Sequence, residues 1–160
     1  MRYQHFESPI GPLLVAGDED GLRFLLFERG RKREKARPDW EPDRGTLKEP
    51  IDQLKAYFAG KLRNFDFPLA PQGTAFQQQV WRALCDIPYG ETTSYGELAR
   101  RIGNPNAVRA VGLANGSNPI AIIIPCHRVI GSNGSLTGYG GGLPIKKALL
   151  ELEKGQTRLV

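Results

Sequence analysis

The sequence predicts an α/β (α+β) protein. A small N-terminal antiparallel sheet with one helix precedes a mostly helical C-terminal half that carries a helix-turn-helix pattern. Three observations predict it. Short apolar runs separated by turn residues fill the first 27 positions. Helical periodicity with recognisable caps takes over after residue 45. A Pro71-Gln72-Gly73 break divides the chain into units of 1–73 and 74–160.

In order, Gln4–Glu7 reads as a strand that ends at the turn Ser8-Pro9-Ile10-Gly11-Pro12. Leu13–Ala16 and Leu22–Phe27 are strands flanking turn signals at Gly17–Gly21. Arg29 to Lys35 is a charge run of both signs, read as a solvated loop. Thr46-Leu47-Lys48-Glu49 has the form of a capping box for a helix with Ile51, Leu54, Tyr57 and Phe58 on one face and Gly60 at its end. Phe65–Leu69 returns as a strand. Thr74-Ala75-Phe76-Gln77 is a second capping box, and Phe76, Val80, Trp81 and Leu84 form the apolar stripe of its helix.

After the turn Ile87–Gly90 come two short helices. Ser94-Tyr95-Gly96-Glu97 caps the first, which stops at Gly103. Asn104-Pro105 opens the second, with proline in the first turn where its missing N–H does no harm, and it runs to about Asn115. The second helix of such a pair can lie in a DNA groove, although helical hairpins of this size usually serve packing alone. Ile120–Ile124, between Asn118-Pro119 and Pro125, reads as a buried extended segment that delivers Cys126-His127-Arg128 into a glycine-rich loop, Gly131 to Gly142. Leu143–Lys154 closes the chain as a helix with Ile145, Leu149 and Leu152 on its apolar face.

Composition narrows the classes. No apolar run approaches the ~20 residues needed to span a bilayer, and no signal-peptide core follows Met1, so a cytoplasmic protein is expected. With only Cys85, Cys126, His5 and His127, and no paired ligand spacing, a metal site is not expected. The net charge of +5 is uneven: residues 1–73 hold 13 Lys+Arg against 12 Asp+Glu, whereas residues 74–160 hold 9 against 5. Leu98 to Leu150 contains no acid at all. Such a surface suits a polyanion.

Cys85, inside a helix, reads as an inert buried thiol. Cys126 differs because His127 adjoins it and small residues leave room for a ligand. The thiolate is the competent nucleophile, and an ordinary thiol with a pKa of about 8.5 needs assistance at neutral pH. In an extended chain neighbours face opposite ways, so a water between Cys126 and His127 is the better proton path. His127 then needs a carboxylate to orient it and favour its charged form. The acids of this half are Asp86, Glu91, Glu97, Glu151 and Glu153. Glu153 sits at a helix end where the dipole opposes it; a buried partner or plain exposure explains it equally well.

These residues resemble the O6-alkylguanine-DNA alkyltransferases, in their stand-alone bacterial form. The match runs through Phe76–Trp81, Pro88–Thr92, Ser94-Tyr95, Asn104-Pro105, Arg109–Gly112, Asn118-Pro119, Ile124–Ile130, Gly138-Tyr139 and Gly141-Gly142. The first ~70 residues match more loosely, as a small sheet plus helix. The resemblance implies stoichiometric, irreversible transfer of an alkyl group from O6-alkylguanine, and from O4-alkylthymine, in double-stranded DNA to Cys126. It implies that His127, polarised by Glu153, activates the thiol through water, and that Asn118 holds the loop that shapes the pocket. Tyr95 would rotate a phosphate and help protonate the leaving base, and Arg109 would fill the gap left by the flipped nucleotide. The carbonyls of Cys126 and Val129 would accept from the guanine amine, Tyr139 would line the pocket, and the Gly140 amide would face the base oxygen. Ser94, Tyr95, Asn104, Arg109, Ala110, Gly112 and Ser132 form the implied DNA-contacting set.

The resemblance further implies a monomer with cooperative assembly on DNA, no cofactor and no metal. Human-type members carry Ser where this chain has Gly140, and zinc ligands where it has only His5. Two competing readings are a Cys-His hydrolase, which adjacent Cys and His serve poorly, and a transcription factor, which the helix pair alone permits.

Overall fold

The computed structural model describes residues 1–29 and 35–155 of the 160. Most of the Arg29–Lys35 run therefore lies outside the described residues. Strand β1 (Arg2–Ser8) pairs antiparallel with β2 (Gly11–Asp18), and β2 with β3 (Gly21–Phe27). A two-residue strand, β4 (Glu41–Pro42), adds in parallel to the free edge of β1, giving the order β3-β2-β1-β4. The sheet is therefore mixed, not purely antiparallel. Two residues around a proline carry no strand pattern, and proline is tolerated at such an edge.

Strand alternation explains why β2 is apolar on both faces. Leu13 and Val15 join the main core, while Leu14 and Ala16 pack with Trp40 in a second cluster on the other face. Arg37 stacks over the Trp40 and Phe24 rings and shields that cluster from water. Gly21 (φ +140°) lies so close to Pro68 that a Cβ there would fall 2.6 Å from the Pro68 carbonyl oxygen.

Helix α1 (Lys48–Phe58) buries Ile51, Leu54, Tyr57 and Phe58. The Thr46–Glu49 capping box does not form. Asp43 takes its place, accepting from the backbone N–H of Gly45, Thr46 and Leu47 and from the Thr46 hydroxyl. A carboxylate that reaches several donors at once outcompetes a single hydroxyl. Gly60 (φ +73°) ends the helix with the bonds Gly60 N–H to Tyr57 and Lys61 N–H to Ala56. The strand expected over Phe65–Leu69 shrinks to one bridge, Leu69 with Leu22. Phe65 and Phe67 turn inward onto the core instead of alternating along a ladder.

Helix α2 (Ala75–Cys85) has the reciprocal Thr74–Gln77 capping box and buries Val80, Trp81 and Leu84. Cys85, at its last turn, is exposed rather than buried. Strand β5 (Thr93–Ser94) leads into α3 (Tyr95–Arg101), whose first turn is capped by Ser94 Oγ on Glu97 N–H. Helix α4 (Val108–Gly116) starts later than expected. Asn104 and Pro105 form a turn, closed by Ala107 N–H on the Asn104 carbonyl, because the bonds Gly103 N–H to Arg100 and Asn104 N–H to Ala99 finish α3 first. Helix α5 (Leu143–Glu153) follows Gly142 (φ +98°). One continuous apolar core takes residues from Phe6 to Leu152.

Candidate active site

The segment before Cys126 is not extended. Ile123 N–H bonds the Ala121 carbonyl at 2.7 Å around Ile122, which is forced to φ +71°. Cys126 N–H then bonds the Ile124 carbonyl at 2.8 Å around Pro125, with φ −81° and ψ 63°. These are two three-residue turns in succession. Asn118 ties them: its Nδ2 donates to the Ile124 carbonyl at 2.8 Å and its Oδ1 accepts from Ile120 N–H at 3.0 Å. Leu25 of β3 brackets the same stretch, donating to Pro119 and accepting from Ala121. A β-branched residue at positive φ is costly, and such strain collects at functional sites.

Cys126–Arg128 is a turn of 3-10 helix, so the premise of an extended Cys-His pair fails. Val129–Ile130 then pairs in parallel with Thr93–Ser94 as strand β6, which fixes the start of α3 against the site. Cys126 is 7% exposed and His127 fully buried.

Glu153 is the buried carboxylate behind His127, with Oε2 at 2.7 Å from His127 Nε2. Two residues that sequence reasoning left without a role complete the cluster. Arg128 Nε and Nη2 donate to Glu153 at 2.7 and 3.1 Å, and Arg128 Nη1 caps the Ile87 carbonyl at 2.7 Å. Tyr57 Oη donates to Glu153 Oε2 at 2.6 Å. Burial opposes a charge on Glu153, but the hydrogen bonds of His127 and Arg128, and the positive charges both carry in acid, outweigh it and hold the carboxyl at about 2. Burial also pushes His127 down, helped by the nearby cations Arg128 and Lys146 and only partly resisted by Glu153. Glu153 favours the cation as expected, but burial outweighs it and leaves the imidazole neutral at pH 7. A neutral ring with N–H on Nε2 facing Glu153 leaves Nδ1 as a bare acceptor, and no partner reaches Nδ1 among the described residues.

A cavity of about 680 Å³ opens at Cys126. Its walls come from β3 (Phe24 to Phe27), Tyr95, the C-terminal half of α4 and residues 138–140. That volume lies in the range of sites for small organic ligands. Tyr139 and Gly140 line it, Tyr139 packing edge-on against Phe27 at 5.5 Å between centroids. Val129 is wholly buried, and its carbonyl accepts from Lys146 Nζ at 2.7 Å. Tyr139 Oη and Asn115 Oδ1, both on cavity-lining residues, are buried without a hydrogen-bond partner among the described residues. Orphaned buried polar atoms are rare enough to mark a functional region. Among the described residues no group of three or more His, Cys, Asp and Glu could hold a metal.

The outer surface of α3 and α4 carries the remaining candidates. Arg109 and Ala110 are exposed on α4, and Gly112 faces the Tyr95 ring. Asn104 is exposed in the inter-helix turn and Ser132 in the loop after β6. Leu113, unnoticed in the sequence, is 71% exposed beside the cavity mouth. Its signal was an apolar residue on the side of α4 opposite the buried Val111 and Ala114.

The chain matches the model of the 6-O-methylguanine DNA methyltransferase ribonuclease-like domain over residues 1–71 and that of the DNA binding domain over residues 75–155. It is 60% identical to a methylated-DNA–protein-cysteine methyltransferase of Methanosarcina acetivorans, across 96% of this chain and 98% of that one. A protein of the same name from Mycobacterium bovis is 58% identical, across 98% of this chain and 94% of its own. The crystal structure of Mycobacterium tuberculosis OGT in complex with DNA superposes with a TM-score of 0.89 at 57% identity, covering 98% of this chain and 95% of that one. The chain is thus a methyltransferase of the 6-O-methylguanine DNA methyltransferase family, the O6-alkylguanine-DNA alkyltransferases.

Proposed function

We propose that this protein repairs DNA by direct reversal, taking the alkyl group of O6-alkylguanine, and of O4-alkylthymine, onto Cys126 once and irreversibly. The observation that carries the reading is the acceptor left bare on a neutral imidazole, His127 Nδ1, next to a cysteine at a cavity. The thiol proton passes to Nδ1 through a bridging water, and Glu153, which already accepts the Nε2–H, stabilises the imidazolium that forms. The sulfur forms a bond to the alkyl carbon as the carbon–oxygen bond breaks. The base leaves with the bonding pair and takes a proton from Tyr95. A thioether offers no leaving group for return, so each molecule acts once.

An alkylated Watson–Crick edge is out of reach within a duplex, so the nucleotide must be turned out of the stack. Helices α3 and α4 act as the helix-turn-helix that docks on double-stranded DNA. The small residues Ala110 and Gly112 allow close approach, and Arg109 fills the vacated space. Ser94, Asn104 and Ser132 supply backbone contacts, and Ser94 keeps its hydroxyl hydrogen for that use while its oxygen caps α3. In this reading the unit 74–160 holds the acceptor and the DNA contacts, and the unit 1–73 supplies a cavity wall and Tyr57. The same reading has the protein working in the cytoplasm as a monomer that assembles cooperatively on DNA, without a cofactor.

Titrating the protein against a duplex carrying one labelled O6-methylguanine tests the proposal. One mole of label per mole of protein, found on Cys126 by mass spectrometry, is expected. Repeated turnover, or label on Cys85, overturns it.

A further inference from the structure

Most polar side chains on the cavity wall are already committed inside the protein. Asn118 is tied at both ends to Ile124 and Ile120, and Tyr95 Oη stands 2.5 Å from Thr137 Oγ1. Ser117 Oγ donates to the Ala114 carbonyl and accepts from Gln77. Of the buried polar side-chain atoms on that wall, Asn115 Oδ1 and Tyr139 Oη are those without a partner among the described residues. The Tyr139 hydroxyl can either give or accept a hydrogen, whereas Asn115 Oδ1 can only accept and so specifies what must meet it. Asn115 is 6% exposed and sits on the last turn of α4. That turn is anchored by Trp81 Nε1 on the Ala114 carbonyl at 2.9 Å and by Ser117 N–H on Leu113 and Ala114. The acceptor is therefore held in place before any ligand arrives.

We propose that Asn115 is a specificity-determining residue of the pocket, its Oδ1 accepting a hydrogen bond from the 2-amino group of the guanine adduct and so favouring O6-alkylguanine over O4-alkylthymine; this rests on the reading that the cavity at Cys126 receives the alkylated base. Alkylation at O6 fixes guanine in the form without a hydrogen on N1. The 2-amino group is then the one N–H donor left on its pairing edge. O4-alkylthymine has lost the hydrogen of N3 in the same way and carries no N–H donor at all. A lone acceptor in the pocket thus tells the two adducts apart.

Main-chain acceptors near the site are less free to discriminate. The Cys126 carbonyl already accepts from Val129 N–H, and the Val129 carbonyl from Lys146 Nζ at 2.7 Å. Each keeps a lone pair for one amine hydrogen, and Asn115 takes the other. With the guanine adduct in place the orphaned acceptor gains its partner. With the thymine adduct it stays unpaired and is cut off from water as well, and a buried acceptor in that state is costly. A site built around an N–H rejects a base that lacks it.

The test deletes the contact from both sides. Single-turnover transfer is measured with the full-length protein on one oligonucleotide carrying O6-methylguanine, O6-methylhypoxanthine (the same purine without the 2-amino group) or O4-methylthymine. Wild type is compared with Asn115→Leu, which keeps the volume and loses the acceptor, and with the smaller Asn115→Ala. Because every protein meets the same bases, their intrinsic reactivities cancel in the ratio of ratios. The rate on O6-methylguanine relative to O6-methylhypoxanthine should fall by ~10-fold from wild type to Asn115→Leu, the scale of one hydrogen bond between uncharged groups. The preference over O4-methylthymine should shrink by a like factor. Asn115→Leu no longer buries an unpaired acceptor, so its thermal midpoint should equal or exceed that of wild type. Unchanged ratios in both variants overturn the proposal, and so does an equal slowing on all three bases, which would make Asn115 merely structural. Selective loss of the thymine adduct overturns it too, since the carboxamide would then be presenting its N–H₂. A wild-type protein that moves no methyl group to Cys126 from any of the three bases overturns the underlying reading instead.

Discussion

Tyr57 of α1 and Glu153 of α5 stand 96 residues apart in the chain and 2.6 Å apart in the protein. Burial and the neighbouring carboxylate push the Tyr57 phenol well above its ordinary range, so it stays a donor throughout the working pH range. A helix from the first half of the chain thereby steadies the carboxylate that orients His127. Tyr57→Phe should lower unfolding free energy by about 2 kcal/mol, the usual worth of a hydrogen bond to a charged group. Transfer should slow by less than ~10-fold, since His127 and Arg128 still hold Glu153 through three N–H groups. Urea midpoints and single-turnover rates measure both; unchanged stability would show the contact to be idle.

His127→Ala removes the bare acceptor. Transfer at pH 7 should fall by ~10²- to 10⁴-fold, the range for a lost general base. The variant should then regain activity as pH rises and hydroxide ionises the sulfur unaided. A rate profile parallel to wild type between pH 6 and about 9 would remove His127 from proton transfer.

Stability against acid follows from the same cluster. Glu153 is held at about 2 against an ordinary 4.5, so its contribution is complete above 4.5 and disappears as pH falls toward 2. The lost contribution is on the order of 3 kcal/mol. His127 is also depressed in the fold, so the unfolded chain binds its proton first and stability begins to fall below about 6.5. Denaturant midpoints taken from pH 8 to 2 should therefore stay level and then descend in two stages. Glu153→Gln should start lower and lose the second stage; an acid descent equal to wild type would place the effect elsewhere.

Arg109 separates two readings by geometry. As a phosphate contact it should tolerate lysine, which neutralises the same charge. As the group that fills the stack it should not, because planarity and stacking matter there. Transfer rates of wild type, Arg109→Lys and Arg109→Ala on a duplex and on the free base measure this. An unchanged duplex-to-free-base ratio in either variant removes Arg109 from nucleotide flipping.

Local chemistry was readable in the sequence wherever the partners lie within one helical turn. The Thr74–Gln77 box and the glycine stops at Gly60 and Gly103 belong to this class. The Thr46–Glu49 box looked equally good and failed because Asp43, outside the four-residue pattern, reaches more donors. Ile120–Ile124 misled for another reason: a short apolar run reports burial and not backbone shape, and Asn118 folds it into turns. At the site, Cys126 and His127 are adjacent and visible. Glu153 could be named only as one acid among five, and Arg128, 25 residues from it, carried no sign that its partner was buried. Tyr57 read as one of four apolar positions on its helix and Lys146 had no reading, since helical periodicity says which face is covered and not what waits beneath it.

The contrast between a shielded Cys126 and an exposed Cys85 has a consequence for how long the protein remains usable. On the proposed reading each molecule acts once, so its acceptor must not be consumed by the wrong electrophile. Peroxide, quinones and stray alkylating agents meet Cys85 at the surface, but burial and the Asp86 charge push its thiol up and leave it little of the reactive thiolate. Exposure and low reactivity thus meet in the same thiol, and a stored stock should gather modification at Cys85 only slowly.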